Sequence, residues 1–172
     1  MKLNKEFAQA AKAAGVCREW YERLLQTEDP EGLADMFFNG IDFCLSKGVP
    51  SLQKLRELGA EFLNPRGLYI DQKGIALGNV PRAAFFGACE GSAAYNGMAV
   101  AQLYATGDTQ LHVIGIHKAA ITVDAFDNSR VTVEARDGAR ITVFQYEGAH
   151  VETITGENAG TVKVVVKHKK TY

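Results

Sequence analysis

A chain of 172 residues with 47% apolar and 23% charged side chains suits one ordinary globular domain or two small ones. Its formal net charge of -1 supplies no global attraction to nucleic acid or anionic lipid, so neither is an expected partner. No apolar run approaches the ~20 residues of a membrane span, and no apolar core follows the basic start of the chain, so no secretory signal is read and a cytoplasmic location is expected.

The first sixty residues carry helical periodicity. Asn4 is placed to cap a helix that runs to about Ala14 and stops at Gly15, with Phe7, Ala10, Ala11 and Ala14 on one face. A second helix is expected over 17–26, turning Trp20, Leu24 and Leu25 inward. Asp29-Pro30-Glu31 is a start signal: a cap, a proline at the first helical position and an acid in the first turn. The stripe that follows, Leu33, Met36, Phe37, Ile41, Cys44 and Leu45, predicts one helix closed by Lys47-Gly48. Ser51 opens a fourth, with Leu52, Leu55 and Leu58 three apart. Histidines are absent before residue 112, which argues against a metal- or cofactor-binding bundle and favours a capping or docking module.

The period then changes. Leu68-Tyr69-Ile70 and Ile75-Ala76-Leu77 flank Asp71-Gln72-Lys73-Gly74, which reads as a four-residue hairpin loop. Residues 85–109, rich in Gly and Ala, look like weakened copies of a repeat that is plain from Leu111 onward. Written in tens, its first column is Leu111, Ile121, Val131, Ile141, Val151, and its third is Val113, Val123, Val133, Val143, Thr153. Alternation by two buries both columns and turns the second (His112, Thr122, Thr132, Thr142, Glu152) outward. Columns seven and eight, Asp127-Asn128, Asp137-Gly138, Glu147-Gly148 and Glu157-Asn158, form the turn, with column eight expected to take the positive φ. Column nine is small throughout: Ala119, Ser129, Ala139, Ala149, Ala159.

Such a repeat is built by stacking. One decamer spans at most ~33 Å of contour, too short for a whole coil, so two decamers per coil of twenty are expected. Uniform Ile/Val and Thr columns favour like residues stacked in parallel; an antiparallel meander, which pairs different columns, is the alternative. The expected class is therefore α+β, with a helical segment over 1–64 and a repetitive, β-helix-like region over 65–172. The unit Ser129-Arg130-Val131-Thr132-Val133-Glu134-Ala135-Arg136-Asp137-Gly138-Ala139, with Gly40-Ile41-Asp42-Phe43-Cys44 and the closing Lys169-Lys170-Thr171-Tyr172, resembles uncharacterised β-solenoid repeat proteins of gut Bacteroidetes and their prophages. That resemblance implies the architecture and a phage-derived, virion-associated setting. It carries over no catalytic or binding residue.

Candidate chemistry is sparse. Cys17, Cys44 and Cys89 form no CxxC pair and read as buried, reduced thiols, with no zinc site and no nucleophile. The acidic column Asp127, Asp137, Glu147, Glu157 suggests calcium, but the glycine-rich nonapeptide of calcium-binding β-rolls is missing and acids before Gly or Asn are ordinary turn chemistry. His112 and His117, with Asp108 near them, and His150 read as scattered surface histidines. No paired carboxylates flank a cleft, so no enzyme, cofactor or metal is expected. Phe126, Arg136, Phe144 and Tyr146 all fall on even positions and are expected to form an outward strip for a protein partner or a glycan. Arg130, Arg140, Asp124 and Glu134 are placed on the same face, as a salt-paired surface. Val162, Val164 and Val166 form a last strand, and Lys163, Lys167, His168, Lys169 and Lys170 around it keep its edge from pairing. The expected role is structural or interaction-based, with self-association through a flat face or an uncovered edge; a carbohydrate- or ligand-binding module is second.

Overall fold

A computed structural model describes residues 2–172. The chain divides into two compact units, the first ending at Leu68 and the second spanning Tyr69–Thr171.

The helical unit contains α1 (Leu3–Ala13), α2 (Arg18–Gln26), α3 (Pro30–Asn39), α4 (Ile41–Lys47), α5 (Leu52–Leu58) and α6 (Ala60–Leu63). The start signal at Asp29 works as expected: its carboxylate accepts the Gly32 amide at 2.6 Å. Asn4 does not cap α1. The helix begins at Leu3, and the buried Asn4 side chain donates instead to the Leu25 carbonyl at 2.8 Å, tying α1 to α2. The long helix expected from Pro30 onward is two helices, because Gly40 leaves the helical region (φ −101°, ψ 22°) between Asn39 and Ile41. Glycine is the poorest helix former after proline, and here it overrides an unbroken apolar stripe.

The second unit is a β-solenoid. Strands β1 (Leu68–Ile70), β3 (Arg82–Phe86), β5 (Val100–Ala105), β7 (Ala120–Ala125), β9 (Arg140–Gln145) and β11 (Thr161–Val166) form one sheet in that spatial order. The other holds β2 (Ile75–Gly78), β4 (Glu90–Tyr95), β6 (Gln110–Gly115), β8 (Arg130–Ala135) and β10 (His150–Ile154). Pairing is parallel; β2 lies sixteen residues before its partner (Ile75 on Gly91), and the step is then twenty: Gln110 lies on Arg130, Val100 on Ala120 and His150 on Arg130. Each coil is therefore two decamers, one strand to each sheet, and the meander is excluded. The expected hairpin at residues 68–77 is a solenoid corner, since β1 and β2 enter different sheets. The stretch from 85 to 109 supplies β3, β4 and β5, coils of the same kind with smaller side chains.

Columns one and three fill the space between the sheets: Leu111, Val113, Ile121, Val123, Val131, Val133, Ile141 and Val143 are all buried in one core. Column five joins them with small residues, Gly115, Ala125 and Ala135. A Cβ on Gly115 would come within 3.1 Å of Ile121 Cδ1 and 3.3 Å of Ala139 Cβ, so even a methyl group there would require its neighbours to give way slightly. Positive φ falls on column seven in the middle coils, where Gly97, Gly107, His117, Asp127 and Asp137 take it between 56° and 64°, and on column eight, as expected, only at Gly148 (95°) and Asn158 (55°). Asp and His adopt this region more readily than bulky residues, so the column accepts them where glycine is absent. Corner amides extend the ladder between coils: Lys118 N–H donates to the Gly97 carbonyl and Asn128 N–H to that of Gly107.

The last coil departs from the period. β11 sits 21 residues beyond its partner, Thr161 on Arg140, because Gly160 adds one residue to the corner. A Cβ at Gly160 would lie 2.4 Å from the Ala139 carbonyl oxygen, so only glycine passes there.

Candidate functional site

The feature that sets one part of the solenoid apart is its C-terminal end. β10 and β11 close their sheets, and among the described residues neither has a strand beyond it. Their inward positions continue the core columns: Val151 lies on Val131, Val162 on Ile141, Val164 on Val143 and Val166 on Gln145. In the coils below, the column that Val164 continues is fully buried; Val164 itself is 39% exposed and Val166 56%. The end coil thus presents a row of unpaired backbone donors and acceptors beside uncovered valines. In the tail after β11, the Lys169 carbonyl accepts the Glu147 amide at 3.0 Å. Lys163 and Glu152 project outward from the two end strands, so that coil carries both signs of charge.

The expected aromatic strip does not exist as a strip. Phe126 and Tyr146 are 3% and 4% exposed, and their rings stack at 4.3 Å and 22°. Both lie in column six, one residue past a strand, where the alternation that assigned them outward no longer holds. With Phe86 and Thr106 they form a buried corner column. Phe144, from the middle of β9, is half-buried, with the Lys167 ammonium 5.0 Å above its ring. Arg136 follows β8 in the other sheet and chelates Glu134 through Nε and Nη2 at 2.7 and 2.9 Å. That pair holds the Glu134 carboxyl below the ordinary carboxylate range. The salt-paired face is likewise divided: Arg130 and Glu134 belong to one sheet, Arg140 and Asp124 to the other, and Asp124 is buried.

The acidic turn column is split by the same geometry. Consecutive decamers turn at opposite edges, so Asp127 and Glu147 occupy one edge and Asp137 the other. Asp127 Oδ2 accepts the Gly107 amide at 2.9 Å, and Asp108 Oδ1 accepts from Asn128 Nδ2 at 2.8 Å: these acids brace one coil against the next. Asp108 and His117 also turn at opposite edges, and among the described residues no three His, Cys, Asp or Glu side chains are grouped to hold a metal ion. His150 is exposed at the start of β10, while His112 is half-buried on the outer face of β6. Of the cysteines, Cys89 is buried and Cys44 partly so, with its thiol pushed up to about 12 by burial, but Cys17 is exposed, contrary to expectation. It stands at the N-cap of α2, between two helices rather than within one.

Residues Val151, Val162, Val164 and Val166 were legible as core columns but not as a surface. The signal lay in the repeat itself: the last copy of any stacked unit has an inner face that no further copy covers. No helix among the described residues is long and apolar enough to cross a membrane. Comparison with protein-family models, curated proteins and solved structures returns no significant match.

Proposed function

We propose that this chain is a structural or protein-interaction protein rather than an enzyme, and that it self-associates through the open last coil. The observation that carries the reading is the exposure of Val164 and Val166 on strands that have free hydrogen-bonding edges. A second copy adding its own end coil would continue both sheets and cover these valines at once, the β-augmentation that an open edge templates. Charge favours one arrangement. With β10 of one copy on β11 of the other, Glu152 faces Lys163; with β10 on β10, like carboxylates meet. The lysines of the tail, expected to guard the edge, then act as a selection against partners of like charge. The prophage setting enters this proposal through the sequence resemblance alone.

Sedimentation velocity over a hundredfold range of concentration tests it. The wild type is expected to shift to a dimer as concentration rises, less so in added salt. Val164→Lys with Val166→Lys is expected to stay monomeric at an unchanged melting temperature, since both positions are exposed in the single copy. A strict monomer throughout, or a dimer indifferent to the double substitution, overturns the proposal.

A further inference from the structure

The helical unit contains a concave groove that nothing above uses. It has a volume of about 400 Å³ and is walled by α1 to α4 and the segment at Val49-Pro50. Trp20, Leu24, Met36 and Phe43 are among the apolar side chains that line it. Among the described residues, one lining residue alone is charged: Asp42, exposed in the first turn of α4 and in no ion pair with another of them. A volume of this size falls in the range of small-molecule sites, which combine apolar walls with a few polar groups that fix orientation.

We propose that this groove binds a small organic cation, with its apolar body against Trp20 and Phe43 and its ammonium end at the Asp42 carboxylate. The charge pattern selects this occupant. An apolar body removes groove walls from water without needing hydrogen-bond partners in them. The single carboxylate then distinguishes head groups by charge: it attracts an ammonium, offers a hydroxyl no more than the hydrogen bond that water also makes, and repels a sulfate. The site lies wholly within residues 7–50 and is independent of the end coil and of the proposal made for it.

The chain's single tryptophan reports on the groove directly. Octyltrimethylammonium, octanol and octyl sulfate, each below its micelle concentration, are titrated while Trp20 emission is followed. Saturable change is expected for the ammonium probe at about two- to fivefold lower concentration than for octanol, the span an exposed ion pair supports, with octyl sulfate weakest. Asp42→Asn is expected to level the ammonium and octanol curves and leave octanol itself unchanged. Cys17→Phe, which puts a ring at an exposed lining position, is expected to weaken all three. No saturable response to any probe, an equal response to all three head groups, or an ammonium preference that survives Asp42→Asn overturns the proposal.

Discussion

The ring of Tyr146 stacks at 4.3 Å on that of Phe126, twenty residues earlier in the chain. The spacing is close to the ~4.8 Å between neighbouring strands, so the pair reproduces at a corner the step that the sheets make along their length. Both rings are buried. The pair therefore belongs to the packing of the solenoid and is not free to hold a sugar or a partner.

Truncating either ring should accordingly cost stability. Phe126→Ala is expected to lower the unfolding free energy by about 3–5 kcal/mol, and Phe126→Leu, which keeps most of the volume, by much less. Urea unfolding followed by circular dichroism measures both. A Phe126→Ala variant as stable as the wild type would contradict the burial described here.

Asp127 combines a left-handed backbone (φ 57°) with a carboxylate bonded to the Gly107 amide on the coil below. Asp127→Ala loses the bond and keeps the strain, so a loss of about 1–2 kcal/mol is expected. Asp127→Gly loses the same bond but relaxes the backbone, and should lie between the alanine variant and the wild type. The order of the three melting temperatures is the measurement; glycine falling below alanine would show that strain is not part of the cost.

Stability should fall on the acid side through Glu134. Arg136 holds its carboxyl below the ordinary value of 4.5, chiefly by hydrogen bonding. A carboxyl with a depressed folded pKa contributes stability that is fully present above its unfolded value and is lost as pH drops through the folded one. The melting temperature is therefore expected to decline as pH falls from about 4.5, and Glu134→Gln to decline less steeply over that window. Parallel slopes for the two proteins would mean that the pair contributes nothing to folding.

Val133 and Tyr146 separate what the sequence determined from what only the tertiary structure decided. That Val133 points inward, stacks on Val113 and sits in a coil of twenty residues follows from alternation and from the length of a strand plus its corner. Both are local constraints that any copy of the repeat obeys. The helix starts at Asp29 and Ser51 were legible for the same reason, since a cap is made by residues three apart. Tyr146 obeys no such rule. Parity gives the side of the strand from which a side chain leaves, whereas burial depends on what lies against that side, and at a corner one residue past the strand even the parity lapses. The split of the acidic column between two edges and the exposure of Val164 and Val166 are decided likewise by the stack as a whole: by where successive turns fall, and by the absence, among the described residues, of a coil beyond β10 and β11.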